Sequence, residues 1–344
     1  MITHSKPWIN HREIKSITSF LQKKNLSSNA FHNIFERNLK KKFGIKNAVF
    51  TKSGTDALIN AIKLLKLKKN DEVILPSYVC KNVLHSLTLN KVKPVFCDIG
   101  ENWVITFENI KKCLSKKTKG IIIVHTFGHP CNIKEIKKLN IPIIEDACQA
   151  IGLKIGYKYS GTLGDLGVYS FDSTKCLTTI HGGMLICNND KYINNFLTIK
   201  SKLDNSFENS FSPMQANLGI SQLKRYDQFI QKRKYIYQKF IKEFIKFKSI
   251  TIKKIRHNYL FRFTFRTNIP FKILEKKYRY NNIIIRKGVD EVLHKRNKKN
   301  DSNLTNTILF FNTTVSIPFY PSLTNIEINR IIKISRKIFN EYAN

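Results

Sequence analysis

Short apolar segments alternate with helical patterns through the first half of the chain, and this alternation constrains the fold more than any other feature. Five apolar segments are each bounded by Gly, Pro, Asn or Asp: "NAVFT", "DEVILP", "KPVFCDI", "GIIIVHTFG" and "IPIIEDA". Stretches with helical spacing, such as "TDALINAIKLLKL" and "NIKEIKKLN", lie between them. Neighbouring parallel strands need a crossover connection, which is usually a helix. The alternation therefore predicts βαβ units and an α/β fold with a mostly parallel central sheet flanked by helices.

The flanking segments indicate two domains. Residues 8–24 and about 30–42 have the spacing of amphipathic helices, and "GDLGVYSFDST" and "GGMLICN" have the character of strands around a loop. Residues 213–247 form one long helical pattern, of the kind that often links domains. We expect residues 1–247 to hold the N-terminal helices, a large domain and the linking helix. Residues 248–344 mix short strands with a final helix, and we expect them to form a smaller α+β domain.

The net charge of +36, from 60 basic and 24 acidic residues, is one that nucleic-acid-binding proteins often carry. Such proteins gather their basic residues on one face or within a recognisable motif. Here the Lys and Arg residues are spread along the whole chain, and the sequence has no helix-turn-helix, zinc or RNP-like signature. We therefore predict no specific nucleic-acid partner, although the charge should attract anionic ligands, including phosphorylated small molecules.

Two further features bear on location and on metal chemistry. No apolar run is long and uncharged enough to cross a bilayer, and "MITHSKPWINHREIK" lacks an apolar signal core. We therefore expect a cytoplasmic protein without a membrane partner. The seven cysteines include no C-x-x-C pair, which disfavours both a zinc ribbon and a secreted disulfide framework.

The segment "SGTDAL" falls where the first strand gives way to a helix. Unpaired backbone N–H groups and the helix dipole favour a bound phosphate at such a point. Gly54 allows the backbone to approach a ligand closely, and Thr55 adds a hydroxyl donor. The competing interpretation is an ordinary helix N-cap, because Ser, Thr and Asp are common there. The segment is neither a Walker A loop nor a G-x-G-x-x-G turn, which disfavours nucleoside triphosphates and Rossmann dinucleotides.

The fifth apolar segment ends in Glu145-Asp146. Carboxylates at the C-terminal ends of parallel strands point into the ligand crevice, where one could hold a cationic ring nitrogen or a metal. A helix N-cap is again the competing interpretation. No second carboxylate cluster or His pair accompanies this position, so we predict no metal site.

Lys175 lies in the small, hydroxyl-rich segment "YSFDSTKCLTTIHGG". Taken alone, it would be one solvated charge among many. Taken with the two earlier segments, it completes the set of protein groups that pyridoxal 5'-phosphate (PLP) needs. A phosphate-binding turn anchors the cofactor, a carboxylate keeps the pyridine nitrogen protonated, and a lysine forms the covalent link.

In these segments and their order, the chain resembles the DegT/DnrJ/EryC1/StrS family of PLP-dependent sugar aminotransferases, which have the aspartate-aminotransferase fold (fold type I). The resemblance covers nearly the whole chain. It is carried by "SGTDALINAIKLL", "DEVILPSYVC", "KPVFCDI", "IIIVHTFGHP", "IIEDACQAIG", "YSFDSTKCLTTIHGGML", "QANLGISQLKRYDQFIQKRK" and "SIPFYPSLTNIEINRI".

The resemblance implies a role for each matching residue. Lys175 would be the Schiff-base lysine and proton shuttle, and Asp146 would pair with the pyridinium nitrogen. Gln149 would contact the cofactor ring or its 3-hydroxyl group. The residues that would hold the phosphate are Gly54, Thr55 and Ser170. Because active sites of this fold lie at a subunit interface, the resemblance also implies a homodimer.

The chain departs from the family pattern in four places. Cys80 stands where relatives usually carry an aromatic residue that stacks on the ring, and Tyr78 is a neighbouring ring that could compensate. Ile180-His181-Gly182-Gly183 replaces a Gly-Glu-Gly-Gly segment. Asn209 is the candidate for an asparagine that contacts the phosphate from the other subunit. In "IIIRKGVDEVLHK", which replaces a His-Tyr-x-x-x-x-His loop, Arg286 and Lys287 could meet a sugar-nucleotide phosphate or form a basic strand end at the surface.

The implied function is transfer of an amino group from an amino acid, with glutamate as the expected donor, to a nucleotide-linked keto sugar. The product would serve surface polysaccharide or glycoconjugate biosynthesis. A sugar dehydratase of the same family is the alternative, although those relatives carry a His in place of the lysine. A regulatory relative without turnover and a basic nucleic-acid-binding protein are the remaining alternatives.

Overall fold

The computed structural model describes residues 1–27, 29–205, 211–255, 259–297 and 303–342. Within these ranges the helices are α1 (His11–Leu21), α2 (Ala30–Phe43), α3 (Gly54–Leu64), α4 (Lys81–Leu89), α5 (Phe107–Cys113), α6 (Ile133–Ile136), α7 (Ile193–Asn205), α8 (Pro213–Lys224), α9 (Tyr226–Phe244), α10 (Phe271–Tyr280), α11 (Leu293–Arg296), α12 (Thr305–Thr313) and α13 (Asn325–Asn340). The strands are β1 (Asn47–Thr51), β2 (Glu72–Pro76), β3 (Lys93–Cys97), β4 (Thr118–Val124), β5 (Ile143–Asp146), β6 (Lys154–Ile155), β7 (Lys158–Tyr159), β8 (Leu166–Ser170), β9 (Gly183–Cys187), β10 (Ile250–Thr251), β11 (Phe263–Thr267), β12 (Arg286–Lys287) and β13 (Thr314–Ile317).

The central sheet has seven strands in the order β1-β9-β8-β5-β4-β2-β3. Strands β8, β5, β4, β2 and β3 pair in parallel, and β9 pairs antiparallel with both β8 and β1. All five apolar segments of the first half became strands, as did the two around the Lys175 loop. The prediction of an α/β fold with a mostly parallel sheet is confirmed.

Alternate strand residues bury the two faces of this sheet against different helices. On one face, residues such as Val73, Ile122 and Ile144 pack with α3, α4 and α7. On the other face, Ile121 and Ile143 pack with α5 and α6, and the neighbouring end of the sheet packs with α2, α8 and α9. A parallel sheet covered on both faces needs the near-continuous apolar strands that the sequence shows.

The segment predicted as one long helix over 213–247 is two helices, because the chain breaks between α8 and α9 at Arg225. Arg225 Nη1 donates to a carboxylate oxygen of Glu13 at 2.6 Å, and both side chains are buried. Its guanidinium also lies against the rings of Trp8 and Phe229. The break between α8 and α9 is therefore associated with a tertiary contact between Arg225 and α1. The helical spacing of apolar residues does not predict such a contact.

A second sheet, of four short strands in the order β10-β11-β13-β12, forms within the C-terminal segment. Residues Phe263 and Phe265 of β11 and Val315 and Ile317 of β13 pack into a core with α9, α10 and α13. The intervening residue Thr264 pairs with Ser316, and both lie on the opposite face of the sheet. The proposed domain boundary at residue 247 falls between α9 and β10 and stays a prediction.

Among the described helices, none is both long and apolar enough to cross a membrane.

Candidate active site

A cavity of about 320 Å³ opens at the carboxyl ends of the parallel strands. Ligands of open α/β sheets bind in this position. The cavity brings together most of the residues that the sequence singled out. The predicted residues that line it are Gly54, Thr55, Cys80, Asp146, Gln149, Ser170 and Lys175.

The N-terminus of α3 forms one wall. Ser53 is the N-cap, and its hydroxyl accepts a hydrogen bond from the Asp56 N–H at 3.1 Å, so the helix-cap interpretation holds for this residue. Gly54 and Thr55 follow it and line the cavity. A Cβ on Gly54 would lie 2.8 Å from the Ser170 Cβ, closer than side chains pack. Glycine is required here because the helix N-terminus lies directly against the end of β8.

Asp146 ends β5 and is buried. It shares a sheet face with Ile144, which packs beneath α3, and its side chain therefore lines the cavity. One carboxylate oxygen, Oδ1, accepts a hydrogen bond from the Cys148 N–H at 2.9 Å. Burial, followed by the charge of Asp146, raises the pKa of the Cys148 thiol, which therefore stays neutral beside the carboxylate.

The neighbouring carboxylate, Glu145, is on the opposite face of β5 and has a structural role. It accepts hydrogen bonds from His125 Nε2 and from the Leu163 and Gly164 N–H groups, each at 2.8 Å. His125 Nδ1 accepts from the Cys131 N–H at 3.1 Å, so the proton of the neutral ring is on Nε2. This buried pair fixes the loop after β4 without entering the cavity.

That loop orients one polar side chain of the site and supplies another. Phe127 has a left-handed backbone (φ 57°) and is buried, and its N–H donates to Gln149 Oε1 at 2.8 Å. Because the oxygen end of the Gln149 amide is used, its NH₂ end is the one available to the cavity. Thr126 also lines the cavity, and its buried Oγ1 has no hydrogen-bond partner in the described part of the chain.

Lys175 is half-buried, and its Nζ lies 5.3 Å from the centre of the Phe261 ring. The backbone N–H of Lys175 donates to the Asp172 carbonyl at 2.9 Å, which fixes the turn that presents the side chain. Within the described ranges Nζ forms no ion pair. The amine is therefore held near an aromatic face and is available to a ligand.

Cys80 lines the cavity at the N-terminus of α4, where it is exposed. The described lining contains no Phe, Tyr or Trp. Tyr78 is fully buried and lies outside that lining. It therefore does not replace the aromatic residue that relatives stack on the cofactor ring. The lining does include the aliphatic side chains of Val79 and Val289.

The structure does not place Arg286 or Lys287 in the cavity lining. Both lie on β12, next to the lining residue Val289. Arg286 pairs with Ser316, and Lys287 lies on the opposite face with its Nζ 4.6 Å from the Phe311 ring centre. Asn209 lies outside the described residues, and the sugar-phosphate contacts of the other two stay predictions.

Sequence reasoning missed several lining residues. These are Ser53, Leu58, Val79, Asn82, Val83, Val124, Thr126, Cys148, Asp172, His181, Gly182 and Val289. Seven of the twelve lie at or after the ends of β2, β4, β5 and β8, so the rule that carboxyl ends meet in one crevice could have found them. Val289 is different, because it arrives from the C-terminal segment through tertiary packing.

The assembled groups fit the cofactor expected from the sequence. The glycine at the start of α3 leaves a cradle for a phosphate, and the Thr126 hydroxyl is buried without a partner. Asp146 supplies a buried carboxylate for a protonated ring nitrogen, and Lys175 supplies an amine. In the described residues no group of three or more His, Cys, Asp or Glu side chains could hold a metal ion.

Comparison with known proteins agrees with this site. The model of the DegT/DnrJ/EryC1/StrS aminotransferase family matches residues 7–336. A GDP-perosamine synthase of Vibrio cholerae is 30% identical over 217 residues, which are 59% of this chain and 59% of that protein. The matched region thus spans less than two thirds of that relative.

Two solved structures share the fold. The aminotransferase TlmJ of Streptoalloteichus hindustanus has a TM-score of 0.92 at 20% identity, with 100% of each chain covered. An Escherichia coli GDP-4-keto-6-deoxy-D-mannose-3-dehydratase with bound hydrated PLP has a TM-score of 0.87 at 23% identity, covering 97% of this chain and 99% of that one. The predicted fold is therefore confirmed by both.

Proposed function

The chain belongs to the DegT/DnrJ/EryC1/StrS aminotransferase family, and from this membership we propose that it moves an amino group from an amino acid to a nucleotide-linked keto sugar. Glutamate is the proposed donor. The proposed product is an amino sugar for surface polysaccharide or glycoconjugate biosynthesis. The name of the perosamine synthase relative supports a nucleotide-linked substrate. The cofactor is PLP, which when bound supplies an electron sink for the transfer.

The observation that carries the proposal is the convergence of Lys175, Asp146 and the start of α3 on one cavity. These groups come from three separate segments of the sequence. If each group had only a structural role, there would be no reason for all three to line the same cavity.

The first task of these residues is to hold the cofactor. The N–H groups at the start of α3, with the hydroxyls of Thr55 and Ser170, would bind its phosphate. Asp146 would keep the ring nitrogen protonated, because a buried carboxylate favours a cation beside it. Gln149, with its oxygen committed to the Phe127 N–H, would donate its NH₂ group to the ring or its hydroxyl.

Lys175 performs the proton transfers. Its Nζ would accept the proton from the donor's Cα, hold it as an ammonium group, and return a proton when the keto sugar takes the amine. The Phe261 ring lies beside this amine, 5.3 Å from Nζ to the ring centre. Aliphatic side chains, including that of Val79, form part of the cavity lining.

We also propose that the chain works as a homodimer in the cytoplasm, with the active site at the subunit interface. The apolar groove between α1 and the loop that follows Lys175 supports this assembly. It is lined by Ile9, Glu13, Ile14, Ile17, Thr18, Thr179, Ile180, Met214, Gln215 and Leu218. Sedimentation analysis should give a mass of two chains.

A dehydratase is the second candidate, because one structural relative is named as a 3-dehydratase with bound PLP. The lysine at position 175 favours the transferase, since dehydratases of this family carry a His there. The two reactions differ in their products. A transaminase product gains nitrogen, whereas a dehydratase product loses a hydroxyl group and keeps its carbonyl.

The test is to incubate the purified protein with PLP and record its visible absorbance before and after borohydride reduction. Reduction should fix the cofactor to the peptide that contains Lys175, and Lys175→Ala should abolish both the band and the adduct. A panel of nucleotide-linked keto sugars with glutamate should then yield an aminated product by mass spectrometry. An absorbance that is absent, or unchanged by Lys175→Ala, would overturn the proposal.

A further inference from the structure

A second cationic position lies beside the cavity, at Arg262. Its guanidinium lies 5.6 Å from the centre of the Phe127 ring, and its Nη1 donates to the Gly288 carbonyl at 3.0 Å. Gly288 directly precedes Val289, a lining residue. The N–H groups of Phe261 and Arg262 both donate to the Phe127 carbonyl. Arg262 is therefore fixed to the same loop that orients Gln149.

Arg286 adds a second guanidinium to this place. It pairs with Ser316 and Ser316 pairs with Thr264, so all three lie on one face of the small sheet. Thr314 shares that face and accepts a hydrogen bond from Trp103 Nε1 at 3.0 Å, so the face is directed at the large sheet and its loops. Burial, and then the charge of Arg286, lower the pKa of the Arg262 guanidinium. The charge of Arg286 therefore acts on Arg262, in agreement with the shared sheet face on which the register places Arg286.

The surroundings do not neutralise this pair. In the described part of the chain no carboxylate forms an ion pair with Arg262 or Arg286. Asp290 acts on Arg262 through space only, and its side chain is exposed. The third basic group, His4, is buried against the Ser316 hydroxyl at 2.9 Å and adds no counter-charge. Because no carboxylate of the described residues is bonded to either guanidinium, a bound anion would offset the repulsion between them.

We propose that Arg262 and Arg286 bind an oxyanion of the substrate at the mouth of the cavity, on the side of the small sheet. This inference rests on the proposed function, because it names a specificity contact for the same reaction. Arginine forks match the oxygens of both carboxylates and phosphates. The oxyanion has two sources in the proposed reaction, which are the carboxylate of the amino donor and the diphosphate of the nucleotide-linked sugar.

The experiment measures the two half-reactions separately in the PLP-loaded full chain. Glutamate alone should change the cofactor absorbance, and its concentration dependence gives the apparent affinity of the donor. The nucleotide-linked keto sugar is then added to the aminated enzyme. Arg262→Gln and Arg286→Gln are compared with Arg279→Gln, which removes an exposed arginine from α10 in the same part of the molecule.

We expect each of the first two variants to weaken apparent affinity at least tenfold for one of the two substrates, and Arg279→Gln to change neither. Weaker affinity for the keto sugar, together with weaker inhibition by a nucleoside diphosphate, assigns the site to the diphosphate. Weaker affinity for glutamate alone assigns it to the donor carboxylate. Unchanged affinity for both substrates in Arg286→Gln and Arg262→Gln overturns the inference.

Two measures keep the result interpretable. Arg262→Lys retains the positive charge but loses the two-pronged guanidinium group and its hydrogen bond to the Gly288 carbonyl. It should therefore weaken the affinity for the substrate less than Arg262→Gln does. If Arg262→Gln does not fold, Arg286→Gln decides alone, because that side chain is exposed. Loss of the cofactor band from the wild-type protein would instead contradict the proposed function, so the two failures are distinguishable.

Discussion

The amine of Lys175 lies 5.3 Å from the centre of the Phe261 ring. The two residues come from distant parts of the chain, and Phe261 is held in place by a 2.8 Å bond from its N–H to the Phe127 carbonyl. Arg233 Nη1 also donates to the Phe261 carbonyl at 2.9 Å. The C-terminal segment thus places an aromatic face next to the lysine on which the proposed chemistry depends.

Phe261→Leu should lower kcat about fivefold while leaving the cofactor band in place. A cation over an aromatic face is stabilised by about 1 kcal/mol, and its loss frees the amine to adopt unproductive orientations. The measurement is steady-state turnover beside an absorbance spectrum at saturating PLP. Phe265→Leu is the matched control, because Phe265 is also buried but packs in the small-sheet core. Equal loss of turnover in both variants would refute the role of the ring.

Gly54→Ala should weaken PLP binding at least tenfold. The added methyl group would lie 2.8 Å from the Ser170 Cβ and 3.0 Å from the Cys148 Sγ, so the start of α3 must move away from β8. The affinity is read from a cofactor titration of the apo protein. Gly120→Ala serves as the control, since its added methyl group would meet only side-chain carbons, at 3.2 Å from Leu65 and 3.4 Å from Val73. Normal PLP affinity in Gly54→Ala would show that this glycine does not shape the phosphate site.

The strands and the cofactor residues could be predicted from the sequence because each depends on a local pattern. Buried parallel strands are apolar throughout, and their carboxyl ends share one edge of the sheet. That reasoning was enough to place Asp146 and the start of α3 together, whereas the roles of Ser170 and Gln149 came from the resemblance to the family. The separation of Glu145 from Asp146 also follows from strand alternation, once the boundary of β5 is known.

The contacts that cross between distant segments could not be predicted in this way. The ring under Lys175, the break at Arg225 and the cation pair of Arg262 and Arg286 each join residues with no shared periodicity. Packing of the C-terminal segment on the large sheet sets the position of the ring and of the two guanidinium groups, whereas a contact with α1 sets the break at Arg225. A single sequence carries no local signal for such contacts.

Glu13→Gln should lower the free energy of unfolding by about 3 kcal/mol, because it leaves the buried guanidinium of Arg225 without its charge partner. Thermal unfolding with urea titration measures the change. Glu101→Gln removes a carboxylate from an exposed pair with Lys253 and should cost less than about 1 kcal/mol. Similar small losses in the two variants would mean that burial of the Glu13 pair adds nothing to stability.

His4 should make the protein less stable as the pH falls. Burial, and then the charges of Arg262 and Arg286, lower the pKa of His4 from 6.5 to about 3. Between these values the unfolded chain binds a proton that the folded chain does not, so the free energy of unfolding decreases as pH falls below 6.5. From about pH 7 to about pH 5, this one group should remove about 2 kcal/mol of stability.

His4→Asn tests this, because asparagine can still hydrogen-bond to Ser316 but does not titrate. Urea unfolding of both proteins across that pH range gives two stability curves. Contributions from carboxylates are common to both and cancel in the difference. The wild-type curve should fall about 2 kcal/mol further than the variant curve towards pH 5. Parallel curves would mean that His4 is free to take up a proton in the folded protein, and that the two guanidinium groups do not act on it.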